Sequence, residues 1–151
     1  MKTKFLFPVV ALLLIVVMGA YFLINPSYGK SLEAKYYYET GDYTKAYELA
    51  KEAFSLDIYN RMASTIMAQS KTSMKYKKYV DEAKKYMADI NEIAAGKSIS
   101  DANRAKIKMM CEIMIDSYVK LAPSVITDKD LVQEAAMYYK NFENLLEKVN
   151  Q

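Results

Sequence analysis

The sequence predicts an all-α protein that opens with a membrane-spanning helix. Three observations support this prediction. Residues 5–24 carry no charge, the residues after them contain few helix breakers, and the tyrosines and alanines recur at intervals of three and four rather than two. The chain of 151 residues is about one domain long once the apolar segment is set aside. We therefore expect a signal-anchor at residues 1–25 and a helical domain at residues 26–151.

The apolar segment reads FLFPVVALLLIVVMGAYFLI and runs from Phe5 to Ile24. As a helix it would cover roughly 30 Å, the thickness of a bilayer's hydrocarbon core. Lys2 and Lys4 precede it, whereas the charges from Lys30 to Lys35 are mixed in sign. The excess of positive charge before the segment predicts a cytoplasmic N-terminus. We therefore expect a single-pass protein of a bacterial inner membrane, with its C-terminal domain in the periplasm.

A cleaved secretory signal is the alternative interpretation of the same segment. Such signals have an apolar region of about 7–15 residues and end at a small-x-small site. Here the run is longer, and Val17-Met18-Gly19 matches such a site poorly. Tyr21 and Tyr28 are placed as aromatic anchors at the outer interface. The pattern favours an uncleaved anchor, and cleavage would instead release a secreted helical protein.

Composition argues against nucleic acid as a partner. Removing residues 1–4 takes two lysines from the 21 basic residues and leaves 19 against 18 acidic ones. A nearly neutral domain lacks the electrostatic attraction that phosphate backbones require. The basic run KTSMKYKKY, residues 71–79, is followed at once by Asp81 and Glu82 and is typical of a solvated helix face.

Catalysis also lacks its usual residues. The chain has no histidine, so the hydrolase triad, the imidazole base and most zinc sites are absent. Its four glycines form no phosphate-binding loop. Cys111 is the single cysteine and lies in the apolar MMCEIM, which predicts a buried structural thiol. Asp128 and Asp130 follow Thr127, as a helix cap and first-turn acids do. We predict no enzyme activity, no cofactor, no metal site and no small-molecule substrate.

The first predicted hairpin contains the clearest local signals. Asn25-Pro26 predicts the start of a helix that Gly41 ends near Thr40. A second helix is expected from about Asp42 to Leu56, with a stripe of small apolar residues along one side. A short turn between two apolar stripes predicts an antiparallel pair.

Two further hairpins are expected. The second would pair a helix at 59–71 with one at 75–95, which Gly96 stops. The third would begin at a Ser100 cap, end its first helix at Pro123 and start its last helix at Thr127. The result is six helices after the anchor, arranged either as an α-solenoid or as a six-helix bundle. The buried stripe of the 75–95 helix is predicted to contain Tyr76, Tyr79, Ala83, Tyr86, Ile90 and Ile93.

The first hairpin resembles a tetratricopeptide repeat (TPR). The positions that match are Ala34, Tyr37, Gly41, Tyr43, Ala46 and Ala53. The chain departs from the pattern at Lys30, Glu33, Ala50 and Ile58, and the match covers one unit. The resemblance implies a scaffold or adaptor that binds a protein or peptide, here near a bacterial envelope assembly. An extracytoplasmic helical sensor or ligand-binding domain is the alternative from another functional class.

TPR-like domains line a concave groove with the first helix of each hairpin, and this implies where a partner would bind. On the helix expected before Gly41, Ala34 and Tyr37 are predicted to face inward. On the helix expected at 59–71, the inward residues are predicted to be Tyr59, Ala63, Ile66 and Ser70. A polar stripe then remains on each of these two helices. Ser31 belongs to the first of these stripes. An ordinary solvated surface is the alternative interpretation. The candidate partner-binding residues are Lys35, Tyr38, Arg61, Thr65 and Gln69.

Overall fold

The computed structural model describes residues 3–96, 99–123 and 127–150. These residues form helices and connecting segments and contain no strand, so the predicted all-α class is confirmed. The helices are α1 (Thr3–Ile24), α2 (Pro26–Glu39), α3 (Tyr43–Leu56), α4 (Arg61–Ala94), α5 (Asp101–Val119) and α6 (Lys129–Asn150).

Helix α1 is apolar along its length and leaves its described side chains exposed. Phe7 is 81% exposed and Leu23 is 90% exposed. Among the described residues, no single helix combines the length and apolarity needed to cross a membrane. One pair of helical segments, Leu6–Tyr21 and Pro26–Glu39, meets these two criteria when taken together, and the pair is bent by 70° between its members. Lys2, which contributes to the predicted orientation, lies outside the described residues, as does the side chain of Lys4.

The chain forms two compact units, residues 1–70 and 71–151. In the first unit, the α2–α3 hairpin packs with the beginning of α4 around small side chains. The core cluster of this unit consists of Ala34, Ala46, Ala50 and Ile66. Three alanines let the helices approach closely, as the predicted stripe requires. Four larger side chains pack against the cluster: Tyr37, Tyr38, Leu49 and Met67.

Hydrogen bonds at the helix ends fix the hairpin. The Asn25 side chain accepts from the Ser27 amide at 3.0 Å, and the Asp42 carboxylate accepts from the Lys45 amide at 3.0 Å. Gly41 has a φ of +84°, and its amide donates to the Tyr38 carbonyl at 3.2 Å. The Asp42 amide then donates to the Tyr37 carbonyl at 2.9 Å, which completes a Schellman motif. The predicted cap and helix-ending glycine are both confirmed.

We expect Gly41→Ala and Gly29→Ala to change stability in opposite directions. An alanine at position 41 would have to keep the positive backbone φ of Gly41, which costs about 1–2 kcal/mol. Gly29 lies inside α2, where an added Cβ would have no atom within 4 Å, so alanine there should stabilise by about 0.5–1 kcal/mol. Hydrogen exchange of the α2 and α3 amides in the detergent-solubilised full chain measures both effects. Equal changes in stability from the two substitutions would contradict the requirement for a positive φ at Gly41.

The predicted break between helices at 59–71 and 75–95 is wrong. A single helix, α4, runs without interruption from Arg61 to Ala94. The chain has no glycine or proline between Asn60 and Gly96, so nothing in this stretch interrupts the helix. Five described helices therefore follow α1 instead of six, and the described residues contain no middle hairpin.

The second unit contains the remainder of α4 together with α5 and α6. Tyr76, Tyr79, Ala83 and Ile90 are buried, as their spacing predicts, while Tyr86 and Ile93 are half-buried. Three tyrosine rings meet in this unit: Tyr79 lies 5.6 Å from Tyr118, which stacks on Tyr139 at 4.4 Å. Cys111 is buried as predicted, and burial raises the pKa of its thiol, as does the neighbouring Glu112 to a smaller extent.

Helix ends in the second unit follow the prediction in part. The Ser100 hydroxyl accepts from the Asn103 amide at 3.2 Å, so this cap is confirmed. The predicted Thr127 cap is wrong, because Asp128 accepts from the amides of Asp130 at 3.0 Å and Leu131 at 3.2 Å. Helix α5 ends at Val119 rather than at Pro123. A proline ring clashes with the carbonyl four residues before it, which here is that of Val119.

Candidate partner-binding groove

A buried amide fixes the beginning of α4 against α2. Asn60 is fully buried, and its side-chain nitrogen donates to the hydroxyls of Ser27 at 2.8 Å and Ser31 at 3.1 Å. Its side-chain oxygen accepts from the Ala63 amide at 3.1 Å, so Asn60 also caps α4. The Ser27 hydroxyl in turn donates to the Ala53 carbonyl at 2.8 Å. Asn60 thus links α4 to α2, and Ser27 extends this network to α3.

This network overturns two sequence-based assignments. Tyr59 was expected in the core, but it is 85% exposed. It precedes the Asn60 cap and lies in a turn, so the helical spacing on which that assignment depended does not apply to it. Ser31 was expected on the polar stripe with Lys35 and Tyr38, but it is fully buried. Its hydroxyl is satisfied there, because it donates to the Tyr28 carbonyl at 3.0 Å and accepts from Asn60.

The five predicted partner-binding residues come together at one surface. They line an open groove of about 420 Å³ between the C-terminal half of α2 and the first turns of α4. Three residues that were not predicted as contacts complete the lining. We call this surface the α2–α4 groove; its residues are Lys35, Tyr38, Glu39, Arg61, Met62, Thr65, Ile66 and Gln69.

Charge in the α2–α4 groove is partly paired. Lys35 approaches Glu39 at 3.7 Å, one turn along α2, and both side chains are exposed. Such exposed pairs contribute little and are readily exchanged for other partners. Within the described part of the chain, no carboxylate forms an ion pair with Arg61. Two cations and one carboxylate therefore line the groove, which favours an acidic group on whatever binds there.

Apolar groups form the floor of the α2–α4 groove. Ile66 is 4% exposed and belongs to the core cluster, while Met62 is 36% exposed. The Tyr38 ring packs on that cluster and meets the Tyr43 ring edge-on at 5.4 Å and 60°. A tyrosine held in this way presents a rigid contact surface that loses little freedom on binding.

Helical spacing could have found the three residues that sequence reasoning missed. Glu39 lies four residues after Lys35, and Met62 lies three residues before Thr65 and seven before Gln69. Ile66 was placed in the core, which is correct, but its edge also reaches the groove. Met62 and Ile66 are apolar and border the surface, so a prediction built on polar stripes does not include them.

The side chains that meet here are suited to recognising a ligand. Among residues 3–96, 99–123 and 127–150, no three histidine, cysteine, aspartate or glutamate side chains lie close enough to hold a metal ion. The groove offers a guanidinium, an ammonium, a carboxylate, an aromatic ring and two thioether or aliphatic groups. Of these, the arginine, the tyrosine and the methionine are residue types enriched where proteins contact each other, whereas lysine and glutamate are depleted there.

Comparison of the chain with protein families, with curated proteins and with solved structures gives no match in any of the three.

Proposed function

We propose that this chain is a membrane-anchored protein-interaction module whose first hairpin is TPR-like. In this proposal, the α2–α4 groove holds a segment of a partner protein close to a bacterial inner membrane. The observation that carries it is the convergence of Lys35, Tyr38, Arg61, Thr65 and Gln69 on one groove. These five residues, predicted from their positions on two separate helices, line a common surface, as binding residues on a TPR-like scaffold do.

The lining indicates the chemistry of the partner segment. An apolar side chain of the partner would cover Met62 and Ile66 and pack against the Tyr38 ring. A carboxylate next to it would pair with Arg61, and a guanidinium can hold a carboxylate through two hydrogen bonds. The volume of about 420 Å³ suits one or two side chains of an extended or helical segment.

Helix α1 supplies the anchor in this proposal. Its described side chains are apolar and exposed, and the free energy of leaving so much apolar surface in water is unfavourable. Insertion into a bilayer removes that surface from water. With the N-terminus in the cytoplasm, the helical domain would face the periplasm, where it could hold a partner in an envelope assembly.

Site-specific photocrosslinking in the expressing cells tests the groove. Benzoylphenylalanine placed at Thr65 or at Gln69 should crosslink the same partner protein. The same group at Tyr59, which is exposed outside the groove, should not. In the Thr65 background, a Tyr38→Ala, Arg61→Ala double substitution should reduce the crosslinked yield by about tenfold or more, because aromatic and arginine side chains dominate such interfaces.

A matched double substitution serves as the control. Tyr59→Ala with Lys51→Ala removes one aromatic and one basic side chain from exposed positions outside the groove, and it should leave the yield unchanged. Circular dichroism must show that both double variants remain helical. A folded Tyr38→Ala, Arg61→Ala variant with undiminished crosslinking would place the partner elsewhere and refute the proposal.

A further inference from the structure

A second cavity, of about 240 Å³, lies within the unit formed by residues 71–151. The end of α4, the start of α5 and the end of α6 form its walls, which are mostly aliphatic. Ile90 and Ile107 are each 3% exposed, and Leu145 and Val149 are half-buried beside them. The cavity is separate from the α2–α4 groove, because no residue lines both.

Two basic side chains border this apolar cavity. They are Arg104 on α5 and Lys148 on α6, and no carboxylate in the described ranges forms an ion pair with either. Lys148 lies in the last turn of α6, where the helix dipole favours a cation. Arg104 lies in the first turns of α5, where the dipole disfavours a cation, so the helix itself does not account for its charge. An anion at the cavity mouth would satisfy both groups.

We infer that this cavity binds an amphipathic anion: a single unbranched alkyl chain that ends in a carboxylate. The aliphatic walls would take the chain, and Arg104 and Lys148 would pair with the head group. An apolar cavity of about 150 Å³ accommodates benzene, so 240 Å³ accommodates a chain of roughly ten carbons. The ligand class is that of medium-chain fatty acids, and the site is independent of the partner groove proposed above.

Isoleucine methyl groups provide a direct readout in the full chain. We would incorporate the protein, labelled with carbon-13 at the isoleucine δ1 methyls, into lipid nanodiscs and titrate it with decanoate. Saturable shifts are expected for Ile90, Ile99 and Ile107, which line the cavity. Ile58 and Ile66 in the other unit should not shift. Affinity should rise about fourfold for each methylene from hexanoate to decanoate.

The two cations are tested by comparing charge-matched variants. Arg104→Gln with Lys148→Gln should weaken decanoate binding about fivefold, the scale of two partly exposed ion pairs. Lys108→Gln with Lys140→Gln removes the same charge from exposed positions on the same two helices and should have no effect. Decan-1-ol, which has the same chain without the carboxylate, should bind the unmodified protein more weakly than decanoate does.

Several outcomes would overturn this inference. Shifts confined to Ile15 and Ile24 of α1 would show that decanoate enters only the bilayer. Equal affinity for decanol and decanoate, or for the two double variants, would remove the role of Arg104 and Lys148. Shifts of the three cavity methyls that depend on protein concentration without added ligand would assign the cavity to a second copy of the chain.

Discussion

A Leu12→Lys, Ile15→Lys variant is expected to leave the membrane fraction, whereas the unmodified protein stays in the pellet after a carbonate wash. Both positions lie in the middle of α1, and their side chains are more than half exposed. A lysine at the centre of a bilayer costs about 2.5–3.5 kcal/mol, so two would cost about 5–7 kcal/mol. That cost is large enough to shift the protein from membrane to soluble fraction.

The matched control places the same two charges near the ends of α1. Lysines at Leu6 and Leu23 can extend their ammonium groups to the interface, so this variant should stay in the pellet. Retention of the Leu12→Lys, Ile15→Lys variant would contradict insertion of α1. Sequencing of the mature protein separates the alternative: an N-terminus near Ala20 would show that the segment is a cleaved signal.

Asn60→Ala should destabilise the unit formed by residues 1–70 by about 3 kcal/mol. The substitution removes the cap of α4, worth about 1 kcal/mol, and two buried hydrogen bonds, worth about 1 kcal/mol each. Hydrogen exchange of the α2 and α3 amides in the solubilised full chain measures the loss of protection within that unit.

Asn60→Asp distinguishes the stability that comes from capping α4 from the stability that comes from the hydrogen bonds to Ser27 and Ser31. Aspartate caps a helix as well as asparagine does, but it cannot donate to Ser27 and Ser31, and it would bury a carboxylate. It should therefore destabilise as well, by about 2 kcal/mol or more. Asn91→Ala, at an exposed position inside α4, is the control and should be neutral or slightly stabilising. If Asn60→Asp preserved protection, the network would contribute nothing beyond the cap.

Signals that act over a few residues made much of the fold predictable. Asn25, Gly41 and Ser100 fulfil their expected roles because a cap or a helix-ending glycine depends only on its immediate neighbours. The burial of the stripe containing Tyr76 and Ala83 also follows from spacing on one helix. The predicted break in α4 had no such local signal, because that stretch contains no glycine or proline.

Long-range pairing was beyond the reach of sequence reasoning. Asn60 contacts residues 29 and 33 positions earlier, and nothing in the local pattern around it indicates those partners. Its burial determines that Tyr59 points away from the core and that Ser31 is covered. The wrong assignments of Tyr59 and Ser31 affected the candidate site little. Arg61, Thr65 and Gln69 all lie inside α4 and keep their helical spacing.

The Asn60 network and the core cluster both lie within residues 1–70, and this bears on how quickly this part of the chain can fold. The Asn60–Ser27 hydrogen bond spans 33 residues, and the core cluster is complete once Ile66 is in place. The free-energy cost of closing a loop grows only slowly with its length, and helical proteins fold in microseconds to milliseconds. A ribosome adds roughly 5–20 residues per second. The hairpin and its buried amide can therefore assemble in much less time than a ribosome needs to add the residues of α5 and α6.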